Sequence, residues 1–215
     1  HSVRNQEAIP LSPKFLTRSR GCGSRFGSQI VAFLLGGIFL LCSACERDPL
    51  PWHCPEVAVG DLVLSEIRGD QGDDDQWIEI YNLSEQTLDL YGVRITFTKL
   101  NGASSTEILI REENMMVDAG GYFVLGKYEH AEKPSHVDYG FAADFQSNLY
   151  ESAGVRIFAC GEKVDQVVYR SLPGTGTLAF DGAELPNAEA NDDETAWCAD
   201  GAGSPGERNP NCASE

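Results

Sequence analysis

Apolar and polar residues alternate along short runs of this chain, most regularly in residues 60–82, GDLVLSEIRGDQGDDDQWIEIYN. Leu62 and Leu64 fall on one face, Val63 on the other, and Ile67 comes one step out of phase. That pattern is expected of a strand buried on one face and partly on the other. Over residues 76–82, Ile78 and Ile80 point one way while Trp77, Glu79 and Tyr81 point the other. The isoleucines are expected in the core. Trp77 and Tyr81 are expected on an outer face with their polar ends in water, as candidates for a contact surface.

The same period predicts further strands over residues 87–90, 93–98, 106–110, 115–117, 122–125, 154–159, 164–169 and 177–180, with a hairpin turn at Gly161-Glu162. Residues 126–144 read as a loop rich in charge and aromatics. No heptad or long amphipathic period occurs, and 22 glycines and 10 prolines among 215 residues suit short strands joined by tight turns. The fold class is all-β, a sandwich or barrel in one domain.

Ahead of the strands the chain changes character. Residues 30–41, IVAFLLGGIFLL, form an uncharged apolar run of twelve residues preceded by arginines. As a helix it would be ~18 Å long, too short for a ~30 Å hydrocarbon core, and it reads as a signal-peptide apolar region. The following Leu41-Cys42-Ser43-Ala44-Cys45 resembles the lipobox of bacterial lipoprotein signals. On that resemblance cleavage falls before Cys45, whose thiol carries the lipid. Cys42 stands where such signals usually have an aliphatic residue, and ordinary cleavage near Ala44 is the competing outcome. The expected organisation is a leader over residues 1–44, the lipid-anchor cysteine and a proline-rich spacer over 45–57, and the sandwich over 58–215.

Charge narrows the partners. Residues 1–44 hold five basic side chains and one acid, leaving 11 basic against 32 acidic residues beyond them, a formal charge of −21. So acidic a body repels phosphate backbones, which argues against direct nucleic-acid binding.

Four segments of the body together resemble the lamin tail domain, an immunoglobulin-like β-sandwich of nuclear lamins and of exported bacterial proteins. They are Leu62-Val63-Leu64-Ser65-Glu66-Ile67, then Gln76-Trp77-Ile78-Glu79-Ile80-Tyr81-Asn82, then Leu88-Asp89-Leu90-Tyr91-Gly92-Val93, and finally Gly203-Ser204-Pro205-Gly206-Glu207-Arg208-Asn209-Pro210. Val93 departs from the family's usual tryptophan. The resemblance implies an immunoglobulin-like sandwich with a protein-interaction role and no chemistry of its own. Independently of it, Asn82 suits the end of a strand because its side chain can bond nearby backbone, and Gly203 and Gly206 suit a chain reversal around Pro205.

Four cysteines follow the anchor, Cys54, Cys160, Cys198 and Cys212, and an even number in an exported chain favours disulfides. Three pairings are open. Joining Cys198 to Cys212 closes a loop of the size worth ~3 kcal/mol in the chain-entropy account and leaves Cys54 with Cys160. Zinc is the rival, but no Cys-x-x-Cys occurs and His53, His130 and His136 lie apart from the cysteines. Asp70, Asp73, Asp74 and Asp75 are a candidate calcium loop, although the glycine comes too early and no glutamate closes a twelve-residue frame. A solvated acidic turn is the simpler expectation there and at Asn191-Asp192-Asp193-Glu194. No nucleophile elbow, zinc-protease motif, Walker loop or dinucleotide fingerprint occurs, so no catalytic residue and no cofactor is expected.

The expected protein is a bacterial cell-envelope lipoprotein, held at the membrane through Cys45. Its non-catalytic domain would bind an envelope or extracellular protein. A calcium-dependent adhesion module and an accessory domain of an extracellular hydrolase system are the alternatives.

Overall fold

Short β-branched and aromatic runs separated by turn residues yield a fold built almost wholly from strands. The computed structural model describes residues 53–69, 75–145 and 147–212. All of them belong to one compact unit, residues 47–215.

Twelve strands occur among the described residues: β1 (Leu62–Arg68), β2 (Trp77–Asn82), β3 (Leu88–Asp89), β4 (Arg94–Lys99), β5 (Ser105–Leu109), β6 (Met116–Val117), β7 (Tyr122–Gly126), β8 (Tyr139–Gly140), β9 (Ala153–Ala159), β10 (Glu162–Tyr169), β11 (Thr177–Phe180) and β12 (Trp197–Asp200). They form a six-stranded sheet in the order β12-β11-β1-β2-β7-β8, a four-stranded sheet β10-β9-β4-β5 and the small pair β3-β6. Pairing is antiparallel except between β7 and β8. The larger sheet contributes Leu62, Leu64, Ile67, Ile78, Ile80, Phe123 and Leu125 to the core. Facing them from the smaller sheet are Ile95, Phe97, Ile108, Val155, Ile157, Val164 and Val167, all buried. The result is the expected all-β sandwich.

The phase slip in the first strand has a structural cause. Leu64 pairs with Ile80 but Glu66 pairs with Glu79, so Ser65 is an extra residue in a β-bulge. The bulge returns Ile67 to the core side and turns Glu66 outward. Between β9 and β10 the turn falls one residue earlier than expected, at Cys160-Gly161. Both lie in the left-handed region, φ 51° and 85°, as a two-residue primed hairpin turn requires.

Asn82 does more than close its own strand. Its Nδ2 lies 2.8 Å from the Gln86 carbonyl and 3.0 Å from those of Val117 and Asp118, while its Oδ1 accepts the Ser84 amide at 3.0 Å. One buried side chain thereby ties the turn after β2 to the turn before β7.

Residues 126–144 are more structured than a loop. They supply β8, a 3-10 turn at His130–Glu132 and the buried ring of Phe141, next to the buried ring of Phe145 just beyond them. β8 has only two residues, too few to show a period. β12 also escaped the pattern, because Trp197, Cys198 and Asp200 are all half-buried instead of alternating.

Trp77 and Tyr81 are not on a wet face. Trp77 is 1% exposed and Tyr81 5% exposed. Trp77 packs with Val124, Val137 and Tyr128, and the backbone of Gly203 lies so close that an added Cβ would stand 3.0 Å from the indole. The Tyr81 ring packs against Tyr122 with centroids 4.9 Å apart. Alternation correctly put both residues opposite the isoleucines, but sequence-distant segments cover that side too.

Candidate functional site

The bulge at Ser65 and the register of β1 on β2 set two glutamates opposite one another. Glu66 and Glu79 are paired across the strands and both are 0% exposed. Like charges in this position repel, and burial strips each of its water.

Four donors answer the four carboxylate oxygens. Ser65 Oγ donates to Glu79 Oε1 at 2.7 Å and the Gly206 amide to Glu79 Oε2 at 2.7 Å. The Thr177 hydroxyl donates to Glu66 Oε1, and the Ser204 amide to Glu66 Oε2 at 3.1 Å. Two of these donors belong to the closing segment, residues 203–209. Asn209 finishes the attachment, with Nδ2 donating to the carbonyls of Ser65 at 2.9 Å and Phe180 at 3.0 Å. Gly203 and Gly206 adopt φ 74° and 84°, so the reversal that aims these amides needs residues without a Cβ.

Among the described residues no ion pair reaches either carboxylate. Burial pushes Glu79 up to about 8, against the bonds from Ser65 and Gly206, and the charges of Glu66 and Asp138 add to the rise. Burial likewise raises Glu66, with a further push from Asp200. The pair is thus built to hold a proton at neutral pH, sealed from any substrate.

A pH prediction follows from the sign of these shifts. Between the ordinary glutamate range and about 8 the folded state binds more protons than the unfolded chain, so stability falls as pH rises through that window. At about 1.4 kcal/mol per pKa unit, the expected loss between pH 5 and pH 9 is on the order of a few kcal/mol. Urea unfolding at the two pH values measures it, and Glu79→Gln should flatten the dependence.

A third buried carboxylate joins the sheets. Asp165 on β10 accepts the Leu64 amide at 2.8 Å and Asn191 Nδ2 at 2.9 Å through Oδ2, and burial raises its pKa to about 6. Trp197 Nε1 in turn donates to the Asn191 carbonyl at 2.9 Å. Asn191 is therefore a buried staple, unlike the solvated acidic turn expected there. Asp193 is exposed as expected of such a turn, and accepts the Thr195 amide at 2.9 Å.

Of the candidate calcium residues, Asp70, Asp73 and Asp74 lie outside the described residues. Asp75 is committed elsewhere. Its Oδ1 accepts Tyr128 Oη at 2.8 Å and lies 3.5 Å from His136 Nε2, while Oδ2 is 3.6 Å from Arg68 Nε. Among the described residues no group of three or more His, Cys, Asp or Glu side chains is placed to hold a metal ion.

Cys54 is joined to Cys160 and Cys198 to Cys212. Such pairs fit an oxidising, exported compartment. Cys45 and the apolar run before it lie outside the described residues. Among the described residues no helix is long and apolar enough to cross a membrane.

Among the described residues the surface carries open depressions. One of about 650 Å³ beside the Cys54 disulfide is lined by Glu56, Asp61, Glu85 and Glu162. Another, of about 560 Å³, is walled by Lys99, Ser104, Thr106 and Tyr150. A third, of about 160 Å³, lies between Val168, Leu178 and Trp197.

Spacing alone did not single out the Glu66 and Glu79 pair as a site. The available signal was a glutamate within a largely apolar run in each of two adjacent strands, Glu66 beside Ile67 and Glu79 between Ile78 and Ile80, which is unusual wherever both faces are covered. Comparison with known proteins returned no match, either to a family model or to a curated protein.

Proposed function

We propose that the chain is an exported lipoprotein, tethered through Cys45, whose sandwich is a non-catalytic, lamin-tail-like contact module of immunoglobulin type. The observation that carries the family likeness is convergence. Segments far apart in sequence, around Glu66, Glu79 and residues 203–209, meet in one buried network with a bond for every carboxylate oxygen. These are three of the four segments on which the likeness rests. The most strongly perturbed acids are sealed inside and hold the fold, which leaves the surface for contact. With Trp77 and Tyr81 buried, that contact falls to loops and edge strands.

The tether is tested by detergent-phase partitioning of wild type against Cys45→Ser. Wild type is expected in the detergent phase and the variant in the aqueous phase; both aqueous would overturn the anchor. The contact role is tested by cross-linking in intact cells followed by mass spectrometry. Discrete envelope partners above an unrelated exported sandwich are expected, and none above that control would overturn it.

A further inference from the structure

The segment that closes the chain rests on an ionisable footing. Of its hydrogen bonds to the sheet, the Ser204 amide to Glu66 and the Gly206 amide to Glu79 both end on carboxylates. Its root is fixed separately, because Cys198 and Cys212 are bonded across a separation of 14 residues that encloses the whole segment. It can therefore lift as a hinged loop without leaving the domain.

Counting protons shows what holds it down. Asn209 Nδ2 faces two carbonyls, which fixes Asn209 Oδ1 as an acceptor. The Ser204 hydroxyl, 2.7 Å from that oxygen, has one proton and spends it there. Its other contact, to Glu66 Oε2 at 3.3 Å, is at best a weak second share of that proton while Glu66 is ionised, and becomes a full hydrogen bond when Glu66 supplies a proton of its own. Glu66, Ser204 and Asn209 form a chain that is complete when Glu66 carries a proton and broken when it does not.

The surroundings offer no substitute for that proton. Around the pair stand Thr177 from β11, Asp200 from β12, Asp138 ahead of β8, and Tyr81 and Tyr122 from β2 and β7. Arg208 on the segment itself acts on Tyr122. Fully ionised, the pair would set two buried charges opposite one another, with two further acids nearby and no ion pair.

We propose that residues 203–209 are a latch kept closed by a proton on Glu66 of the buried Glu66–Glu79 pair, and that losing this proton lifts the latch while both sheets stay folded. Lifting it uncovers the indole of Trp77, against which Gly203 packs, and the edge of the bulge at Ser65. The domain then has a second surface whose exposure follows pH.

Amide hydrogen exchange on the full chain, normalised to intrinsic rates, tests this at pH 6 and pH 9. Protection at Ser204 and Gly206 is expected to fall at least tenfold between the two, with the amides of Ile78, Ile80 and Val155 holding theirs. Glu66→Gln, whose side-chain amide can donate to the Ser204 hydroxyl as a protonated Glu66 would, should keep the latch protected at pH 9. Equal protection at both pH values would overturn the proposal, as would strands losing protection in parallel with the latch. Should Glu66→Gln fail to fold, Ser204→Ala decides the matter. Removing the acceptor should move opening to lower pH, and an unchanged opening pH would contradict the latch.

Discussion

Replacing Trp77 by alanine should lower the unfolding free energy by about 3–5 kcal/mol, the usual cost of emptying a buried aromatic site. The indole is 1% exposed and packs against Val124, Val137 and Tyr128 on the side of β2 away from the main core. Gly203 presses on its far edge, so the ring also supports the closing segment. Neighbours held in the sheet by the register of β2 on β7 cannot collapse far into the space. An exposed strand aromatic would behave differently, because surface substitutions usually stay within about 0.5 kcal/mol. Urea unfolding therefore distinguishes a covered face from an open one, and a loss under about 1 kcal/mol would contradict the packing described.

The second large effect is expected at the disulfide between Cys54 and Cys160. It joins residues 106 apart, whereas Cys198 and Cys212 are separated by 14. In the chain-entropy account a loop of about 100 residues contributes about 4.7 kcal/mol and one of about 15 residues about 3 kcal/mol. Cys54→Ala with Cys160→Ala should therefore destabilise the domain more than Cys198→Ala with Cys212→Ala. Part of the loss has a local remedy. Cys160 sits at φ 51° in the hairpin turn, where a residue with a Cβ is strained and Asn or Gly is favoured. Cys54→Ala with Cys160→Gly should recover about 1 kcal/mol over the double-alanine variant. Denaturation of the three variants gives the order directly. The shorter loop proving the costlier to open would contradict it.

Strand positions were legible because a half-buried strand repeats every second residue, and β1, β2, β4, β9 and β10 are long enough to show it. Even the bulge left a trace, the displaced phase of Ile67. What alternation cannot tell is whether the second side of a strand is covered. The answer for Trp77 and Tyr81 lay in other parts of the chain, among them Tyr128, Val137 and Gly203. β8 and β12 were hidden for a related reason, since they are defined by what they pair with and not by their own period.

The polar interior was legible only in outline. Asn82 was readable as a turn-holding residue, yet its reach to Val117 and Asp118 depends on strands 35 residues away meeting it. Glu66 and Glu79 were visible as parts of a family-like pattern, and residues 203–210 of the same pattern contained two of their partners, Ser204 and Gly206. Their conversion into a protonated pair required the register between β1 and β2, the depth of burial and the backbone path of residues 203–209. None of these is set by the neighbours of a glutamate in sequence. Asn191 was harder still, because a run of acids beside it advertised solvent while its side chain turned inward to Asp165.

An exported, oxidised sandwich is the ground on which tether and contact role both stand. Its most direct test is non-reducing peptide mapping of the protein from its native cells, with thiols blocked at lysis. Linked peptides joining Cys54 to Cys160 and Cys198 to Cys212 are the predicted result, and four blocked free thiols at those positions would contradict it.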